Sequence, residues 1–103
     1  MRALFGLSGL MKIGLCGREH PPSCVECVEK HLGAARVLMA EVRDGYGSRR
    51  LLAVGHLHEA EDESQEWPGL HEAVRAARKG YQSEGIIPDW EALWALVVTA
   101  GGK

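Results

Sequence analysis

The sequence predicts an all-α fold: a small antiparallel bundle of three to four helices with an irregular, glycine-rich N-terminal arm. Two observations predict it. Apolar residues recur at helical spacing in successive segments, and only short connections separate these segments. The length of 103 residues, with 46% hydrophobic and 25% charged positions, is typical of one soluble globular domain. We therefore expect an arm over 1–22 and a single helical domain over 23–103.

The N-terminal arm is predicted to be loosely structured or strand-like. Each glycine weakens a helix by about 1 kcal/mol relative to alanine, and glycines stand at positions 6, 9, 14 and 17. No apolar stretch reaches the roughly 18 residues of a membrane-spanning helix, so we expect no contact with a membrane.

The first helix is predicted over 24–43. At 100° per residue, its apolar positions fall on one face and its charged positions on the other. Ser23 is the expected N-cap, with Glu26 completing a capping box, and Gly45 suits the left-handed position after the helix. The predicted apolar face consists of Cys24, Cys27, Val28, His31, Leu32, Ala35, Leu38, Met39 and Val42.

Two further amphipathic helices follow. Ser48 is predicted to cap the second, which extends to about Trp67, and Pro68 suits the first turn of the third because its missing N–H is not needed there. The apolar face of the second helix is Ala53, Leu57, Ala60, Ser64 and Trp67. That of the third is Leu70, Ala73, Val74, Ala77 and Tyr81.

The last helix differs from the others because it is apolar nearly all round. It follows a linker over 82–88, is capped by Asp89 and carries Glu91 as its only charge. Such a helix is normally buried, which is difficult in so small a domain without a second subunit or a docked partner. We therefore expect Trp90 and Trp94 to contact a protein partner or another copy of the chain, with a simple intramolecular core as the alternative.

A Cys-x2-Cys-x3-His pattern at the start of the first helix carries the donor types and spacing that zinc uses. A tetrahedral site needs a fourth ligand. His56 lies at the edge of the second helix's apolar face, whereas His58 and His71 fall on polar faces. The sequence therefore predicts a closed structural zinc site that joins the first two helices through Cys24, Cys27, His31 and His56.

Other interpretations of the cysteines stay open at this point. A rival ligand set combines Cys16 and His20 with Cys24 and Cys27, which would hold the arm down. The thiols can also be reduced core residues or a redox pair. Three cysteines cannot all pair internally, so a reducing, cytoplasmic location is favoured over a disulfide-built secreted domain.

Charge is distributed unevenly along the chain. The net charge of −2 combines +3 over residues 1–58 with −5 over residues 59–103. A negative net charge argues against bulk attraction to nucleic acid. The acidic excess forms either a solvated helix face or a patch that docks on a basic partner. Its proposed partner-binding members are Glu59, Glu61, Asp62 and Glu63, with Glu66 beside them.

Two alternatives to an interaction module remain. A small metalloenzyme would need an open zinc position or an iron or manganese site, but no phosphate loop, catalytic serine motif or His-x-Glu pattern accompanies the cysteines. A nucleic-acid-binding regulator would use Arg36, Arg43, Arg49 and Arg50, yet the tryptophans lie elsewhere in the sequence. A non-catalytic role is therefore the leading hypothesis.

The segment 24–63 resembles small proteins of bacteria and their phages. The residues that carry the resemblance are the Cys-x2-Cys-x3-His pattern, Lys30-His31-Leu32, Gly45-Tyr46 and Gly55-His56-Leu57, followed by Glu59-Ala60-Glu61-Asp62-Glu63. The resemblance implies no activity or cofactor. A phage or mobile-element origin would favour an inhibitor of a host protein.

Overall fold

The structure, a computed structural model, describes residues 12–13, 19–20 and 24–101, and over 24–101 it is an all-α bundle, as the helical periodicity predicts. Two short strands, β1 (Lys12–Ile13) and β2 (Glu19–His20), pair antiparallel with Lys12 opposite His20. The remainder of the predicted arm lies outside the described residues. The helices that follow are α1 (Val25–Arg43), α2 (Arg50–Glu63), α3 (Pro68–Glu84) and α4 (Trp90–Gly101).

Helices α1 and α2 form an antiparallel pair with the most extensive helix–helix contact in the bundle. At one end, the backbone N–H of Cys24 donates to the carbonyl oxygen of Glu63 at 3.0 Å. At the other end, Nε of Arg49 lies 3.0 Å from Oε1 of Glu41. The two helices therefore run side by side along a seam, with α3 and α4 completing the bundle.

The core lies between the helices and is built from the apolar faces that the sequence predicts. Each helix contributes residues that are buried at helical spacing, so their burial follows directly from the 3.6-residue period. The core members are Val28, Leu32, Ala35, Met39, Ala53, Val54, Leu57, Ala60, Leu70, Val74, Tyr81, Leu93 and Val97.

The start of α2 differs from its prediction. Ser48 does not cap the helix: it lies inside a short 3-10 turn over Gly47–Arg49, and Arg49 occupies the N-cap position. The preceding turn follows the prediction, because Gly45 has a φ of 112° and ends α1. At the start of α1 the N-cap is Cys24, whereas the predicted cap, Ser23, lies outside the described residues.

The end of α2 also differs from its prediction. The helix stops at Glu63 rather than near Trp67. The hydroxyl of Ser64 donates to the carbonyl of Glu61 at 2.9 Å, so this carbonyl is satisfied without a further helical N–H. Trp67 is instead the N-cap of α3, and Pro68 is its first residue, as predicted.

The connection from α3 to α4 is short. Helix α3 extends to Glu84, so the linker is shorter than predicted, and Gly85 follows it in the left-handed conformation with a φ of 71°. The N–H of Ile86 donates to the carbonyl of Gly80 at 3.2 Å, which completes a Schellman-type end. Asp89 caps α4, since its Oδ1 accepts the N–H of Ala92 at 3.2 Å.

Arg50 joins the first turn of α2 to the last turn of α3. Its guanidinium lies over the ring of Tyr81, 5.1 Å from the centroid, and its Nη2 donates to the Tyr81 carbonyl at 3.0 Å. This carbonyl also accepts the N–H of Gly85 at 2.9 Å. Among the helices described between residues 25 and 101, none combines the length and the apolar character needed to cross a membrane.

Candidate functional site

The predicted zinc ligands His31 and His56 meet across the α1–α2 seam. Their Nδ1 atoms are 2.8 Å apart, and their ring centroids are 5.1 Å apart. At this distance one Nδ1 donates a proton and the other accepts it. His31 is buried and His56 is half-buried, as expected for the edge of the α2 apolar face. The structure therefore brings together two of the four proposed zinc ligands, which are 25 positions apart in the sequence.

The two predicted thiol ligands lie at the start of α1, on the turns before His31. Cys24 is half-buried and has an extended backbone, with φ −152° and ψ 115°, whereas Cys27 is fully buried. Over the described part of the chain, no three His, Cys, Asp or Glu side chains are gathered as a metal-binding group. Cys24 and Cys27 thus lie within two turns of His31 on α1, but the four proposed ligands do not form an assembled metal centre.

The donor set fits zinc in its chemistry, and the imidazole pair is close to the required geometry. Zinc–nitrogen bonds of about 2.0–2.1 Å in a tetrahedral site separate two ligand nitrogens by roughly 3.3 Å. The two Nδ1 atoms, now 2.8 Å apart, would need to separate by about 0.5 Å. The sulfurs of Cys24 and Cys27 would need to move toward that pair. In the rival set, the side chains of Cys16 and His20 lie outside the described residues.

His58 and His71, the other histidines of the helical bundle, have different surroundings. His58 is exposed, as its position on the polar face of α2 predicts. His71 is half-buried rather than simply solvated. Its Nδ1–H donates to the carbonyl of Glu61 at 2.9 Å, and its Nε2 accepts from Nη2 of Arg75 at 3.3 Å. Both ring nitrogens of His71 therefore have protein partners.

The sequence predicts that the acidic residues over 59–66 are solvated, and this prediction is wrong for two of them. Glu59, Asp62 and Glu66 are exposed, but Glu61 is only 9% exposed and Glu63 only 1%. These two positions point inward because α3 and the start of α1 cover the end of α2. The proposed docking patch is therefore reduced to the exposed carboxylates.

Glu61 is the centre of an ion-pair cluster between α2 and α3. Its Oε1 accepts from Nε of Arg78 at 2.6 Å, and its Oε2 accepts from Nε of Arg75 at 3.1 Å. The hydrogen bond from Arg78 lowers the pKa of the Glu61 carboxyl, burial raises it, and the hydrogen bond from Arg75 lowers it further, so the net shift is downward. Glu61 is thus an ionised structural group.

The tryptophans proposed for partner binding are half-buried. Trp90 and Trp94 pack against the core, while Leu93 and Val97 on the same stripe are buried. The outer side of α4 is nevertheless apolar, because Val98 is 70% exposed. Ile86 and Ile87, in the linker before α4, are 54% and 55% exposed.

The arginines divide into two groups. Arg49, Arg50, Arg75 and Arg78 all have acidic, aromatic or carbonyl partners. Arg36 and Arg43 have no such partner among the described residues, and both line a cleft of about 250 Å³ between α1 and α4. Sequence reasoning placed both on a polar helix face and missed this cleft. The available signal was their spacing of seven residues, which puts them on one stripe of α1.

Comparison of the chain with protein-family models, with curated proteins and with solved structures gives no match.

Proposed function

We propose that this protein is a small, non-catalytic interaction module whose α1–α2 seam is closed by a structural zinc ion. Cys24, Cys27, His31 and His56 are the proposed ligands. The observation that carries the zinc proposal is the 2.8 Å contact between the two imidazole nitrogens. It brings together donors from two helices, and two thiols precede one of them at zinc-ligand spacing.

A structural role for the metal is favoured over a catalytic one. Catalytic zinc keeps one coordination position open to water or substrate. Here four protein side chains are proposed to fill the tetrahedron, and two of them, Cys27 and His31, are buried. Zinc at this position would join the two helices that already make the largest contact, and it would contribute directly to folding stability.

The interaction role is supported by the apolar surface around α4. Val98 on this helix, and Ile86 and Ile87 just before it, expose large aliphatic side chains beside the half-buried Trp90 and Trp94. Apolar surface of this kind is typical of a site for a protein partner or for a second copy of the chain. With the resemblance to phage proteins, inhibition of a host protein is the role we favour.

Metal analysis of the purified protein tests the zinc proposal. We expect one zinc ion per chain in the natural protein, and loss of zinc in His56→Ala. His58→Ala is the matched control, because this histidine is exposed two residues further along α2. A chelator should lower the melting temperature of the natural protein and of His58→Ala, but not that of His56→Ala. A metal-free natural protein, or zinc retained in His56→Ala, would contradict the proposal.

Sedimentation velocity at two protein concentrations tests self-association through α4. We expect a concentration-dependent increase in mass that Val98→Asp abolishes. Leu51→Asp is the control, because Leu51 is an exposed leucine of α2, 81% accessible, outside α4. A monomer at every concentration would remove self-association and leave a different protein as the partner of α4.

A further inference from the structure

We propose that the cleft between α1 and α4 binds an acidic peptide segment with an apolar residue between two carboxylates. This inference deepens the proposed interaction role, on which it rests for a protein partner, and it names the chemistry of that partner. It uses none of the four proposed zinc ligands.

The cleft has an apolar middle and a cation at each end. Arg36, Met39, Ala40 and Arg43 share one stripe of α1, at spacings of three, one and three residues. Met39 and Ala40 therefore lie between the two arginines. Trp90, with Ile87 from the linker, forms the facing wall and completes the volume of about 250 Å³.

The charges of the cleft lack a counterpart within the described part of the chain. Arg36 and Arg43 are both exposed, and neither has an ion pair or side-chain hydrogen bond there. Arg49 is close by in sequence, and it pairs with Glu41 at 3.0 Å. A guanidinium binds carboxylates through paired N–H donors, so two such groups beside an apolar cleft favour an anionic ligand.

The spacing of the arginines favours two anionic groups over one. Seven helical residues separate their Cα atoms by about 10.5 Å at 1.5 Å per residue. In a peptide with the polyproline II conformation, which has three residues per turn, residues i and i+3 lie on the same face about 9.3 Å apart at 3.1 Å per residue. A peptide with carboxylates at i and i+3 can therefore pair with both arginines, and an apolar residue between them can meet Ile87 and Trp90.

A peptide is favoured over a nucleic acid for two reasons. The chain carries a net charge of −2, which opposes the approach of a polyanion. In addition, Met39, Ala40 and Ile87 are aliphatic and Trp90 is the one aromatic residue of the lining, whereas single-stranded nucleic acids are bound by positively charged grooves with several aromatic side chains.

Fluorescence anisotropy with a labelled probe tests the proposal on the full chain. The probe is a capped peptide containing Glu-Leu-Ala-Glu between Gly-Ser flanks. We expect saturable binding that weakens as salt rises, because the contacts include exposed ion pairs. Arg36→Gln and Arg43→Gln should each weaken binding by about tenfold, the effect of losing one charge-assisted contact. Ile87→Ser should also weaken it, through the lost apolar contact.

Matched controls make the test specific. Arg49→Gln removes an arginine that is already paired, so the affinity of this variant for the probe should stay within about twofold of that of the natural protein. A probe with both glutamates replaced by glutamine should not bind. Equal loss in Arg49→Gln and Arg43→Gln, or no saturation of the probe at millimolar protein, would overturn the proposal. Tighter binding of a single-stranded oligothymidine, weakened by the same variants, would overturn it in favour of nucleic acid. Zinc content and sedimentation are measured separately, so a failure to bind the peptide does not affect the tests of the zinc site and of self-association.

Discussion

Replacement of Glu61 by glutamine removes the carboxylate that Arg75 and Arg78 share. The variant keeps the size of the side chain and one carbonyl acceptor, but among the described residues it leaves Arg78 without a carboxylate partner and Arg75 with only the exposed Glu72, at 3.5 Å. The natural carboxylate accepts from Nε of Arg78 at 2.6 Å and from Nε of Arg75 at 3.1 Å. Both contacts depend on the carboxylate, so we expect a clear loss of stability.

The magnitude follows from the exposure of the two partners. Arg78 and Glu61 are 15% and 12% exposed at their side chains, so that bond contributes at the level of a partly buried charged hydrogen bond. Arg75 is 41% exposed and its contribution is reduced by solvent. Charged hydrogen bonds contribute about 1.5–3 kcal/mol, so we expect Glu61→Gln to lower the free energy of unfolding by about 2 kcal/mol at neutral pH.

The effect of pH has a defined sign. The pKa of Glu61 is lowered on folding from its ordinary value of 4.5. The carboxylate therefore adds stability above that value and loses its contribution as the pH falls through the lower, folded-state pKa. Urea denaturation at several pH values should show the full difference between the natural protein and Glu61→Gln at neutral pH and a shrinking difference below about pH 4.5.

Asp62→Asn is the matched control, since Asp62 is the exposed neighbour on the same helix. Its effect should stay within about 0.5 kcal/mol. The reasoning is refuted if both variants change stability equally, or if the loss in Glu61→Gln is the same at every pH.

Further substitutions test the packing and the backbone. Leu57→Ala, at a fully buried position, should cost about 3 kcal/mol in urea denaturation, whereas Leu51→Ala at an exposed one should cost less than about 0.5 kcal/mol. Equal losses would contradict the assigned core. Gly85→Ala should cost about 1 kcal/mol because its φ is 71°, and Gly33→Ala, inside α1 with open space around it, should raise the melting temperature. Stabilisation by Gly85→Ala would exclude the left-handed helix end.

The helices and their buried faces were predictable because each follows from spacing alone. Leu32, Leu57 and Val74 lie on apolar stripes of the sequence and are fully buried in the bundle. The proximity of His31 and His56 was predictable for the same reason, since His31 lies on the apolar face of α1 and His56 at the edge of that of α2, and the two helices were expected to be antiparallel neighbours. The signal in each case is local.

Features that depend on particular ion pairs or side-chain–backbone hydrogen bonds were not predictable. Glu61 and Glu63 belong to a run of acidic residues, which predicts that both are solvated. Glu61 is instead covered by α3, because Arg75 and Arg78 of that helix pair with its carboxylate. Trp67 ends a predicted apolar stripe of α2, but the hydroxyl of Ser64 bonds to the backbone and ends the helix first. In both cases a tertiary or side-chain–backbone bond overrides the local pattern.

The position of Arg50 has a consequence for local opening. The backbone of Arg50 begins α2, and its guanidinium donates to the carbonyls of Tyr81 and Gln82. The first turn of α2 is therefore bonded to the last turn of α3. Amide hydrogens at these ends should exchange with deuterium in a single subglobal event, at matched rates, rather than fraying one by one. Loss of the guanidinium would divide that unit into two independently exchanging segments.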